Sequence, residues 1–73
     1  MEVKIGVRHA PRELVIDTAD TVEEVEARLS EAVSGQGILA LTDQRGRRVL
    51  VPAHGIAYVE MGSSVSGQVG FRG

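Results

Sequence analysis

The side chains that could carry chemistry in this sequence include two histidines and a few serines. His9 and His54 both stand in predicted turns, where a histidine is usually solvated. They are distant in sequence and no cysteine accompanies them, so a metal site is not favoured. Ser63, Ser64 and Ser66 lie in a glycine-rich terminal stretch without a nucleophile-elbow motif. We therefore predict no enzyme activity, no catalytic residue, no metal and no cofactor.

Paired carboxylates could also support catalysis, and the acidic residues cluster at Glu23, Glu24, Glu26 and Glu31. Their spacing favours the solvated face of a helix over an acid–base pair. A phosphate site would need a glycine-rich loop before that helix. Residues 17–21 contain two acids and no glycine, which would repel phosphate.

The basic cluster is Arg45, Arg47 and Arg48, around Gly46 at a predicted hairpin tip. Guanidinium groups bind phosphate or carboxylate oxygens bidentately, so these residues are candidate contacts for an anion or an acidic partner. The alternative is a solvated turn that resists aggregation. A net charge of −2 and a pI near 5.6 argue against a general nucleic-acid binder.

A helix is predicted by the segment that begins at Thr21. Thr21 as N-cap and Glu24 three residues later fit a capping box, and Asp20 with Glu23 is an alternative register one residue earlier. The apolar residues that recur at helical spacing on one face are Val22, Val25, Leu29, Ala32 and Val33. Gly35 or Gly37 is predicted to end the helix, because a glycine is free to take a positive φ.

Strands are predicted on both sides of this helix. Alternating apolar residues indicate two strands before Pro11 and after it, joined as an antiparallel hairpin. Three further strands are predicted at Ile38–Thr42, Arg47–Val51 and Ile56–Met61. Asp43 and Gly46 suit a type I turn followed by a bulge, and Pro52 begins a second predicted turn over residues 52–55. The predicted fold is α+β, a single helix on a mostly antiparallel sheet in the order β-β-α-β-β-β.

One helix can cover only one side of this sheet. The side toward the helix is expected to bury Val3, Ile5, Val7, Leu14, Ile16, Leu39 and Leu41. By alternation, the opposite side should carry Val15, Ile38, Ala40, Ile56 and Tyr58, with Leu50 beside them. Such an apolar outer face is covered either by the chain's own tail, through Val69 and Phe71, or by another subunit. We favour a subunit interface.

The 73 residues predict one domain, residues 1–62, followed by a Gly/Ser-rich tail of poor order, residues 63–73. A core of this size without disulfides is only marginally stable, which favours a homo-oligomer, a dimer above all. No signal-peptide pattern begins the sequence and no apolar run reaches about 18 residues. A cytoplasmic protein without a membrane partner is therefore expected.

Several segments together resemble a small actinobacterial family of uncharacterised proteins over essentially the whole chain. The segments are 1–7, 11–15, 41–48, 56–60 and 69–71. The resemblance implies an actinobacterial cytoplasmic origin, and it brings no activity, cofactor or catalytic residue. Residues 63–68 are less charged here than we expect of relatives.

The leading hypothesis is a small non-enzymatic module that self-associates and binds another protein. The alternative is a nucleic-acid or nucleotide-binding accessory protein that uses Arg45, Arg47 and Arg48.

Overall fold

A computed structural model describes residues 1–62 of the chain. The predicted tail, with Val69 and Phe71, lies outside the described residues. Among residues 1–62 the elements follow the order β-β-α-β-β-β, as predicted, with a short 3₁₀ turn at Ala53–Gly55. Their bounds are β1 Glu2–Val7, β2 Glu13–Asp17, α1 Val22–Ser34, β3 Ile38–Thr42, β4 Arg48–Pro52 and β5 Ile56–Gly62. β4 thus lies one residue later than predicted, and β5 is one residue longer.

The strands form two antiparallel sheets, where the sequence predicted one. In the first sheet β1 lies between β2 and β5, and in the second β3 pairs with β4. Within residues 1–62 no ladder joins β2 to β4. The Gln44 N–H instead donates to the Asp17 carbonyl oxygen at 2.8 Å, which ties the hairpin turn to the end of β2. The α+β class is confirmed, and the division into two sheets is a correction to the prediction.

The helix begins at the predicted capping box. The Thr21 hydroxyl accepts a hydrogen bond from the Glu24 N–H at 3.2 Å, and the Glu24 carboxylate accepts one from the Thr21 N–H at 2.9 Å. Two backbone donors that no helical carbonyl reaches are satisfied in this way. In residues 1–62 no helix is long and apolar enough to cross a membrane.

The helix ends in a Schellman motif whose left-handed residue is Gln36. The Gly37 N–H donates to the Ala32 carbonyl at 2.8 Å, and the Gln36 N–H donates to the Val33 carbonyl at 3.3 Å. Gln36 has a φ of 52°, whereas Gly35 has a φ of −91°. The prediction that a glycine takes the positive φ is therefore wrong, although the end of the helix lies where the glycines predicted it.

A core of side chains from both sheets and the helix is buried almost completely. Its members are Val3, Ile5, Ile16, Val25, Ala32, Leu39, Leu41 and Val51. Val7 and Leu14, which were expected in this set, are only half-buried. Val33 was expected on the apolar face of the helix, yet 56% of it is exposed, because it lies in the last turn. The helix therefore packs through a narrow stripe around Val25 and Ala32.

Candidate protein-interaction surface

The arginine hairpin between β3 and β4 is organised by Asp43, which is only 8% exposed. One carboxylate oxygen, Oδ1, accepts hydrogen bonds from the backbone N–H groups of Arg45 at 2.9 Å and of Arg47 at 2.8 Å. The other, Oδ2, accepts from Nε of Arg47 at 3.0 Å. Gly46 has a φ of 88°, as the predicted turn with a following bulge requires. The sequence-based prediction of this turn agrees with the structure.

These hydrogen bonds stabilise the charged form of the Asp43 carboxyl. The N–H group of Arg47 lowers the pKa of Asp43 the most, and burial partly opposes that effect. Hydrogen bonds from Arg45 and from the Arg47 side chain lower the pKa further. A buried carboxylate with this many donors holds the hairpin tip in one conformation.

The three candidate arginines do not form one convergent cluster. Arg47 is occupied by its ion pair with Asp43. Arg48 lies on β4 and pairs with Thr42 of β3, while Arg45 is at the tip of the turn. Among residues 1–62 no carboxylate lies within ion-pair distance of Arg45 or Arg48. Only Nε of Arg47 contacts Asp43, and the Arg47 side chain is otherwise exposed, so the three guanidinium groups are accessible but do not converge on one site.

The outer face of the β3–β4 hairpin is apolar at one end and polar at the other. Cross-strand pairing places Ala40 opposite Leu50 and Ile38 opposite Pro52. Ile38 and Leu50 are each 59% exposed, and Ala40 is half-buried. We call these four residues the hairpin face. Three of them belonged to the outer side predicted from the sequence, whereas Pro52 had been placed in a turn.

Val15 lies beside this face, on the neighbouring strand of the other sheet. It is 50% exposed, and it lines the same groove as Leu50. Three residues of the predicted outer side, Val15, Ile38 and Ala40, are therefore in the same region as Leu50. The alternation of side chains along the strands was enough to predict that these residues lie on the outer side.

Ile56 does not share the outer side with Tyr58, contrary to the expectation. The register of β1 against β5 shifts between Gly6 and Val7, so that Gly6 pairs with Tyr58 and Val7 pairs with Ile56. The extra residue between the two pairs is a β-bulge, and it reverses the alternation. Ile56 consequently packs against the core. No local sequence signal marks this bulge.

Tyr58 lies on a mostly polar side of the three-stranded sheet, away from the hairpin face but on the same side as Val15. It is 47% exposed on the outer side of the three-stranded sheet, which it shares with Lys4, Glu13 and Glu60. Its ring crosses over Gly6, and its hydroxyl donates a hydrogen bond to the Glu13 carboxylate at 2.6 Å. The residues of the predicted candidate interface are thus divided among three places. Ile38 and Ala40 lie on the hairpin face with Val15 beside it, Ile56 packs against the core, and Tyr58 lies on this polar surface.

The chain segments that carry the two histidines are hydrogen-bonded to each other, although the sequence separates them. The backbone N–H of Arg8, next to His9, donates to the carbonyl of Gly55 at 2.8 Å. An Arg8 guanidinium N–H donates to the His54 carbonyl at 3.4 Å. Both histidine side chains are exposed. Among the described residues no three potential metal-binding side chains lie together.

A comparison with curated proteins found no match. Residues 1–72 match the model of a family described as a protein of unknown function, and the chain therefore belongs to that family, DUF3107.

Proposed function

We propose that this protein is a small non-enzymatic interaction module that self-associates through the hairpin face and binds another protein. The observation that carries the proposal is the exposure of Ile38 and Leu50 beside Ala40 and Pro52 on one two-stranded face. Burying apolar surface yields about 25 cal/mol per Å² before the costs of association. Apolar residues that adjoin in this way are typical of contact surfaces.

A second copy of the chain is the occupant that we propose for this face. The chain has no cysteine, and the core is small, so burial between subunits would add stability that the core alone lacks. A net charge of −2 opposes association only weakly. A stable dimer usually buries about 800 Å² per partner. A five-residue strand is only about 17 Å long, so the contact must extend past the hairpin, and we expect micromolar affinity.

The alternative role, in nucleic-acid or nucleotide binding, receives less support from the geometry. Arg47 is already paired with Asp43, and the remaining arginines lie at different positions on the hairpin. The net charge of the chain is negative. We also infer an actinobacterial cytoplasmic setting, which the sequence resemblance supports.

The test is the concentration dependence of the mass in solution, measured by sedimentation or light scattering. The wild type should be dimeric at about 100 μM, well above a low-micromolar Kd. Ile38→Asp should be monomeric, because a charge would be buried at the contact. Val22→Asp is the matched control: it places the same charge on an exposed valine at the helix N-terminus, where an acid is tolerated.

A monomeric wild type at that concentration would contradict self-association. A dimer that persists in Ile38→Asp would show that another surface is the interface. Equal dissociation of both variants would mean that charge alone, and not the hairpin face, controls assembly.

A further inference from the structure

A groove separates β2 from β4, and each strand presents an unpaired edge to it. β2 pairs only with β1, and β4 pairs only with β3, among the residues that the structure describes. The groove has a volume of about 310 Å³. Leu14 and Val15 line it from β2, and Arg48, Val49 and Leu50 line it from β4. It is therefore bounded by two strand edges and by apolar side chains.

The backbone groups that point into the groove follow from the hydrogen bonds at its ends. The Asp17 carbonyl accepts from the Gln44 N–H, so it points away from β1. Because the two edges of a strand alternate residue by residue, the N–H and C=O groups of Val15 point the same way. A strand edge of this kind is a template for an added strand.

The same alternation fixes the direction of the groups on β4. The Arg47 carbonyl accepts from the Asp43 N–H inside the hairpin, so Val49, two residues on, also faces β3. The groups of Arg48 and Leu50 therefore face the groove. Within residues 1–62 no backbone hydrogen bond connects Val15 with Leu50 across it.

Charge limits the chemistry of an occupant. Arg48 lines the groove, and among residues 1–62 it has no carboxylate within ion-pair distance. Arg47 also lines it, with its charge compensated by Asp43. An acidic side chain beside apolar ones would match both the arginine and the apolar walls.

We propose that this groove binds an extended segment of a partner protein as an added strand, with apolar side chains against Val15 and Leu50 and a carboxylate on Arg48. Main-chain hydrogen bonds to both edges would supply affinity, and alternate side chains would supply specificity. This groove is a second interaction surface, in addition to the hairpin face through which we propose self-association. The two surfaces adjoin at Leu50, so the variants below avoid that residue, and Ile38→Asp serves to isolate the groove in a monomer.

Amide hydrogen exchange in the full chain carrying Ile38→Asp, in which the hairpin face is not covered by a second subunit, is the first measurement. The Val15 and Leu50 amides should exchange faster than those of Ile16 and Val49, which face the ladders. Slow exchange at both groove amides would overturn the proposal. It would mean that β2 and β4 pair with each other or that residues 63–73 already cover the groove.

The binding probe is a blocked peptide of about eight residues, a common strand length, in which valine and glutamate stand two positions apart with threonine between them, because Leu50 and Arg48 lie on one face of β4. Its addition should shift the Val15 and Leu50 amide signals in a nuclear magnetic resonance spectrum and slow their exchange. The same peptide with lysine in place of glutamate should bind at least about tenfold more weakly, as loss of a charged hydrogen bond predicts. If about 1 mM peptide causes no shift, the Kd is too weak for a functional contact and the proposal is overturned. Equal binding of both peptides would also overturn it.

Two variants test the backbone and the charge separately. Val15→Pro removes the outward N–H without removing a β1 ladder bond, and proline is tolerated on edge strands. It should abolish binding, while Val15→Thr keeps the N–H and should retain binding. Arg48→Ala should weaken the binding of the glutamate-containing peptide about tenfold. If Val15→Pro fails to fold, Arg48→Ala still decides, and unchanged affinity in that variant contradicts the proposal.

Discussion

The Tyr58 hydroxyl donates a hydrogen bond to the Glu13 carboxylate at 2.6 Å, across the full width of strand β1. The ring reaches Glu13 because it lies over Gly6, where a Cβ atom would overlap the ring carbons. Gly6 pairs with Glu13 on one side and with Tyr58 on the other. One glycine in the central strand thus allows a contact between the two flanking strands.

Gly6→Ala should destabilise the protein by about 1–3 kcal/mol, since the new methyl group forces the Tyr58 ring out of its position. The measurement is the denaturant midpoint, with the slope unchanged. In a Tyr58→Ala background the same substitution should be neutral or stabilising by up to about 1 kcal/mol, because alanine suits a strand better than glycine. An equal cost in both backgrounds would show that the ring is not the obstacle.

The titration of Tyr58 reports the same contact. The hydrogen bond to Glu13 is the main cause that raises the pKa of Tyr58, and burial and the nearby carboxylate charges add to it. Tyr58 is the single tyrosine of the chain, so tyrosinate absorbance follows it alone. Glu13→Gln should lower the pKa of Tyr58 toward its ordinary value near 10.

The titration of Tyr58 also determines how the stability of the folded protein changes with pH. A raised pKa stabilises the folded state at pH values below the unfolded pKa of about 10, and this stabilisation is lost as the pH rises through the folded pKa. The wild type should therefore lose stability in alkali more steeply than Glu13→Gln. An unchanged titration in Glu13→Gln would mean that the hydrogen bond does not persist in solution.

Local signals in the sequence were sufficient to predict a structural feature when the residues that interact are close together in the sequence. Thr21 and Glu24 cap each other, and Asp43 and Gly46 close a turn within a few residues. The side on which Ile56 lies could not be predicted, since it depends on a bulge defined only by pairing with β1. The same is true of the groove between β2 and β4, which reflects how two hairpins dock rather than any residue pattern.

The C-terminal end of the helix is a second feature that the sequence predicted only in part. Gly35 and Gln36 are both compatible with a Schellman motif near this point, and the register of the last helical turn decides which residue takes positive φ. Gln36→Gly should stabilise the protein by up to about 1 kcal/mol, because glycine adopts a φ of 52° without the cost that a side chain incurs there. Gly37→Ala is the matched comparison in the same loop.

Thermal or denaturant unfolding checks this prediction. Gly37 does not take a positive φ, and a Cβ there meets no atom within 4 Å, so alanine should be neutral or slightly stabilising. A loss of stability in Gln36→Gly would indicate that the glutamine is not left-handed in solution.

The acid dependence of stability should be controlled in part by Asp43, whose pKa is lowered mainly by the N–H group of Arg47. A lowered pKa stabilises the folded state above the unfolded value of about 3.9, and this contribution disappears as the pH falls through the folded pKa. Asp43→Asn should therefore be less stable than the wild type near neutral pH, and the difference should shrink below about pH 4. Unfolding free energies measured from neutral pH to about pH 2 give the comparison. Glu26→Gln, an exposed helix residue, measures the general effect of losing one negative charge. A difference between wild type and Asp43→Asn that stays constant with pH would show that the carboxylate charge does not hold the arginine hairpin.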